Sequence, residues 1–71
     1  MIVNNTQVNI VAGEVLIEME RDGGSVTKHV LSHNLDERGS MIDMGVGTLV
    51  KQGLVVVQPL YEDDYLVVGS K

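Results

Sequence analysis

The sequence predicts a small α+β domain in the order β-β-β-α-β-β, an antiparallel sheet of four or five strands with one helix packed on one face. Three observations carry this expectation. Polar and apolar residues alternate through Glu14–Glu20 (EVLIEME), as they do along a half-buried strand. Asp22-Gly23 follows, the dipeptide that two-residue hairpin turns prefer because both central positions take positive φ. Past Asn34 the apolar spacing becomes helical, and aliphatic, strand-like runs return at residues 54–61 and 64–70.

The elements follow in chain order. Thr6–Val11 (TQVNIV) reads as a first strand with Val8 and Ile10 on one face. Ala12–Glu14 gives a tight connection into a second strand, whose Val15, Ile17 and Met19 face one way while Glu14, Leu16, Glu18 and Glu20 face the other. With Asp22-Gly23 as the turn, Met19 opposes Val26, Ile17 opposes Lys28 and Val15 opposes Val30. A slip of one residue would set Glu18 and Glu20 among the valines, so the pattern selects this register.

Asn34 then serves as an N-cap, with Asp36 and Glu37 placed to favour the positive end of a helix dipole. The helix runs over roughly 35–52, its stripe made of Leu35, Ile42, Val46, Leu49 and Val50, with Gly53 as the glycine just past its end. Gly39, Gly45 and Gly47 each disfavour a helix interior by about 1 kcal/mol relative to Ala, so the helix starts late, near Ser40, or breaks near Gly45. Two strands complete the plan, joined by a turn at Glu62-Asp63-Asp64 and apolar enough for burial on both faces. Pro59 cannot donate to a ladder, which puts its strand on an edge or at a bulge.

Seventy-one residues make a single domain, 1–71, with little core to spare. There is no Cys, Phe or Trp, so the core is built from Val, Ile, Leu and Met without disulfides, in keeping with a reducing, cytoplasmic setting. The first ten residues carry no basic, then continuously apolar leader, and the longest aliphatic run, 54–57, is too short to span a bilayer. Ten acidic residues against five scattered basic ones give a formal charge of −5, the wrong sign and distribution for replacing counterions on phosphates. Direct nucleic-acid binding and membrane insertion are therefore not expected.

No catalytic, cofactor-binding or metal-binding motif stands out, and no cofactor is expected. His29 and His33 are four apart, a spacing that serves a metal on a helix but separates the rings by roughly 13 Å along the strand expected here. The glycines of 45–53 lack the spacing of phosphate-binding loops, and close helix-on-sheet packing explains them. Asp36, Glu37 and Asp43 read as a solvated helix end, and Ser25, Ser32 and Ser40 lack the context of a triad. The chain is not expected to be an enzyme.

Two features point to binding. Met41 and Met44 fall off the helical stripe and are adaptable contact residues. Glu14, Glu18 and Glu20, with Asp22, form an acidic ladder with side chains ~6.6 Å apart, suited to a basic surface on a partner protein. In length, acidity and hairpin-then-helix plan the chain resembles the small proteins of phages and mobile elements, anti-CRISPR and anti-restriction proteins among them, that block a host nucleic-acid-handling protein by occupying its surface. That likeness is architectural and transfers no residue. The expected function is a small acidic, non-enzymatic protein-binding module of this inhibitor kind. The alternative is a structural or assembly subunit that forms a homodimer or larger assembly through its sheet edges.

Overall fold

A computed structural model describes residues 5–70; residues 1–4, part of the stretch read for a leader, and Lys71 lie outside them. The fold is α+β, but the order differs from the one expected: α1 (Asn5–Arg21), β1 (Ser25–Thr27), α2 (Lys28–Asn34), α3 (Gly39–Lys51), β2 (Val55–Pro59) and β3 (Tyr65–Gly69). The described residues thus hold three helices and one antiparallel sheet of three strands in the order β1-β3-β2.

The largest correction is α1. The two strands expected at Thr6–Val11 and Glu14–Glu20 are one continuous helix of 17 residues. The segment carries both periods at once: 15, 17 and 19 alternate, yet Val8, Val11, Ala12, Val15 and Met19 recur at helical spacing and are the residues buried. The helical stripe is the set that packs against α3 and joins the core. Ile10 and Ile17, assigned to buried strand faces, are instead exposed on the far side.

Asp22-Gly23 is correspondingly a helix end and not a hairpin turn. The Gly24 N–H donates to the Met19 carbonyl (2.8 Å) and the Gly23 N–H to that of Glu20 (3.4 Å), with Gly23 at φ 84°. This paired closure needs a left-handed residue just past the helix, which glycine supplies at no steric cost. The same device ends α3, where Leu54 N–H reaches Leu49 and Gly53 N–H reaches Val50, with Gly53 at φ 74°. Gly53 therefore holds the position expected of it.

The expected helix over 35–52 is shorter and preceded by another. Thr27 caps α2, its Oγ1 accepting from the Val30 N–H (3.1 Å), and Asn34 is the last residue of that helix instead of a cap. After the connection 35–38, α3 begins at Gly39 and runs unbroken through Gly45 and Gly47. Gly45 is the point where α1 and α3 meet: a β-carbon there would lie 3.0 Å from Val11 Cγ1 and 3.1 Å from the Ala12 backbone nitrogen. Glycine at 45 thus serves helix-on-helix packing, where helix-on-sheet packing was expected.

The core is aliphatic, as expected, and joins every element: Val11, Ala12, Val15 and Met19 of α1, Val26 of β1, Leu31 of α2, Ile42, Val46 and Leu49 of α3, Val55 of β2 and Val67 of β3, with Leu35 between α2 and α3. Val50, assigned to the buried stripe, is 44% exposed. The last two strands form the expected hairpin, and β2 is an edge strand, which accommodates Pro59. Burial on both faces does not hold, since within β2 only Val55 is buried. Among the described residues no helix is long and apolar enough to cross a membrane.

Candidate functional site

The hairpin β2–β3 stands away from α3 beyond Val55 and leaves an open groove of about 700 Å³ between them. Strand parity decides which side chains enter it. Val55 and Val67 point into the core, so Val57, Pro59 and Tyr65, an even number of residues away, face the same way and reach past the end of the packed layer. Across from them α3 presents Val46, Gly47 and Val50. The floor is thus aliphatic, with Val50 and Val57 (38% exposed) left exposed among the described residues.

The closed end of the groove is polar and tightly knit. Lys28 Nζ lies 3.0 Å from the Asp43 carboxylate and 5.6 Å from the centre of the Tyr65 ring. The Tyr65 hydroxyl donates to Asp43 Oδ1 at 2.6 Å. Asp64 Oδ1 accepts from the backbone N–H groups of His29 (3.1 Å) and Tyr65 (2.9 Å), fastening the hairpin turn to the first turn of α2, where a carboxylate favours the helix dipole. These contacts hold α2, α3 and the hairpin in one arrangement. Glu62 and Asp63 extend the rim with no ion pair among the described residues, and Glu62 holds a left-handed φ of 35°, a conformation a residue with a side chain adopts only at some energetic cost.

Tyr65 titrates accordingly. Burial foremost, then the hydrogen bond to Asp43 and the negative charges of Asp43 and Asp64, push its hydroxyl well above the ordinary value of 10.0. Below pH ~10 the phenol is protonated in folded and unfolded chains alike and adds no pH dependence. Above it the unfolded chain loses the proton while the folded one keeps it, so stability falls as pH rises. Urea midpoints measured from about pH 8 to 11 are expected to decline less in Tyr65→Phe than in the wild type; identical declines would contradict this network.

Gly47 is the telling residue of the floor. It sits inside α3 without positive φ, and a β-carbon there would meet nothing within 4 Å. Among the described residues nothing requires glycine at this position, although glycine in a helix disfavours folding by about 1 kcal/mol relative to Ala. What its bare backbone does provide is depth in the groove.

The residues expected from the sequence to bind a partner are scattered. Glu14 is half-buried on α1, Glu20 and Asp22 are exposed, and Glu18 is only 8% exposed, its carboxylate accepting from Asn34 Nδ2 (3.1 Å) and lying 3.6 Å from Arg21. The ladder therefore does not exist: on a helix Glu20 turns away from Glu18, while Glu14 and Glu18, four apart, share a side on which Glu18 is already a tie between α1 and α2. Met41 is half-buried against the core, and Met44 is 37% exposed beside Val8, near the start of α1 and outside the groove. The Glu62–Asp64 turn, noted as a second negative point, is the acidic feature that belongs to the groove.

His29 and His33 both lie on α2, not on a strand, and helical spacing brings them to one side of it. Among the described residues no group of three or more His, Asp or Glu side chains is placed to hold a metal. Ser25, Ser32 and Ser40 fall on three different elements.

The fold and site thus define a small α+β protein with an open, acid-rimmed aliphatic groove. No family model, no curated protein and no solved structure matches the chain.

Proposed function

We propose that this chain is a non-enzymatic protein-binding module that takes a basic, aliphatic segment of another protein into the groove between α3 and the hairpin. The observation that carries the reading is the pairing of an uncovered aliphatic floor, deepened at Gly47, with a rim on which Asp43, Glu62, Asp63 and Asp64 outnumber the single Lys28, itself already paired. Such a rim steers and orients a partner of opposite charge, while the floor supplies the burial. Lys28, Asp43 and Tyr65 satisfy one another, which suits a structural latch better than a reactive centre.

The order α2, short connection, α3 is also that of a helix-turn-helix unit, whose second helix reads nucleic acid. Here the flanking charges argue the other way. Asp36, Glu37, Asp43 and the Glu62–Asp64 turn would face phosphates with like charge. The setting in which the partner is a host nucleic-acid-handling protein, and the chain a phage or mobile-element inhibitor, rests on size and acidity alone. Self-assembly through sheet edges has less to support it, since two copies at −5 would bring their acidic rims together.

The test uses a blocked peptide of alternating valine and lysine, with a valine–glutamate peptide as its counterpart. Binding of the lysine peptide, strengthened at low salt, is expected to weaken about tenfold in the double variant Glu62→Lys/Asp63→Lys, with the unfolding midpoint unchanged. Equal binding of the glutamate peptide, or an unaltered affinity in the variant, would overturn the reading.

A further inference from the structure

We propose that the segment held in the groove is extended and adds to the open edge of β2, pairing with Val57 and the Pro59 carbonyl; this rests on the groove being the docking site. The hydrogen-bond parity of the hairpin identifies the available groups. Leu60 N–H donates to the Asp64 carbonyl and Ser70 N–H to that of Leu54, both at 3.1 Å. In the register Val55↔Gly69 through Pro59↔Tyr65, bonded and non-bonded pairs alternate, so Val56 and Gln58 pair inward to β3. Val55, Val57 and Pro59 then direct their backbone groups away from β3, to the side where no strand lies among the described residues.

These three positions are not equivalent. Val55 is 2% exposed, which closes its edge to a partner. Pro59 has no N–H and offers only its carbonyl. Val57 alone presents both a donor and an acceptor to solvent, and its side chain and that of Pro59 are the ones that line the groove. A strand bonded to Val57 would therefore set alternate side chains over Val50 and Gly47 and run along the edge toward the turn that carries Glu62 and Asp63. The edge has neither a lysine nor a bulge between its ends; the covered Val55 limits it at one end and Pro59, itself a guard against strand addition, at the other, so the open stretch is short and centred on Val57.

Charge selects the occupant. A second copy of this chain, also at −5, would bring a carboxylate rim against a carboxylate rim, whereas a lysine- or arginine-bearing strand complements it. The main chain supplies the pairing and the alternate side chains the selectivity, the mode of recognition by strand addition.

Amide hydrogen exchange with the valine–lysine peptide tests this. In the free protein the Val57 amide is expected to exchange fast and the Val56 amide slowly. Saturating peptide should slow Val57 by about tenfold or more while Val56 changes little. Val57→Pro, which removes an outward donor, should abolish binding and leave the circular dichroism spectrum intact; should that variant unfold, N-methylation of alternate peptide residues gives the same comparison from the ligand's side. Peptide-induced shifts at Gly47 and Val50 without protection of Val57 would overturn the strand and leave the groove reading standing. Concentration-dependent protection of Val57 without peptide would overturn it in favour of a second copy, and absence of any shift would overturn both readings.

Discussion

Ile42→Ala is expected to bring the domain close to its unfolding midpoint at room temperature. Ile42 is fully buried at the centre of the stripe of α3, among residues drawn from every element of the fold. Truncating a buried isoleucine removes its transfer energy and leaves a cavity, a loss of about 2–5 kcal/mol. A domain of this size without disulfides holds a total of only a few kcal/mol, on the order of 3–5, so the loss and the reserve are comparable. Urea unfolding followed by circular dichroism measures it. A loss below about 1 kcal/mol would mean that α3 does not pack through Ile42.

The second large effect comes from Gly45, and its neighbour Gly47 is expected to show the opposite sign. In Gly45→Ala the new methyl group meets Val11 Cγ1 at 3.0 Å and the Ala12 nitrogen at 3.1 Å. A side chain can rotate away, but the α1 backbone cannot without moving the whole helix, and overpacking of this kind costs about 1–3 kcal/mol. Gly47→Ala meets nothing and should raise stability by as much as ~1 kcal/mol through better helix propensity. If the groove is used, the same methyl group makes it shallower and weakens binding of the valine–lysine peptide. Thermal melts of the two variants give the contrast. Equal destabilisation by both would show that the tight approach of α1 to α3 is not at Gly45.

The contrast also explains what the sequence could and could not reveal. The hairpin 55–69 was legible because its strands are short, aliphatic and bounded by turn residues, and because Pro59 fits only an edge. The end of α3 at Gly53 was legible from a lysine followed by a glycine. Residues 6–30 misled because each local signal there has two physical meanings. Val, Ile and Thr favour strands by propensity, yet Val8, Val11, Ala12, Val15 and Met19 also make a helical stripe, and only the packing of α1 on α3 decides. Asp22-Gly23-Gly24 supplies positive φ equally well to a hairpin and to a helix end, so the glycines alone do not choose between them. Thr27 was a better cap than Asn34, but a cap is recognisable only once the helix behind it is known.

The candidate site was barely legible. Its acidic turn and Asp43 were noted as charges, while the carboxylates singled out for binding lay on a misread element, where the helix turns Glu20 away from Glu18 and buries Glu18 against Asn34. The floor of Val46, Gly47, Val50, Val57 and Pro59 joins residues up to 13 apart that come together only through the turn at Gly53. One signal was present: a glycine in a helical pattern with no turn to make. In Gly45 that signal marks a close neighbour inside the chain, and in Gly47 an open space beside it.

Chemical-shift mapping of the labelled protein on titration with the valine–lysine peptide addresses the docking groove most directly. The amides expected to move are those of Gly47, Val50, Val57 and Tyr65, together with Glu62 and Asp63 on the rim. Changes confined to Ile10, Gly13 and Ile17 on the outer side of α1, or to Leu54 and Val56 on the opposite face of the hairpin, would contradict it and move the interaction to another surface.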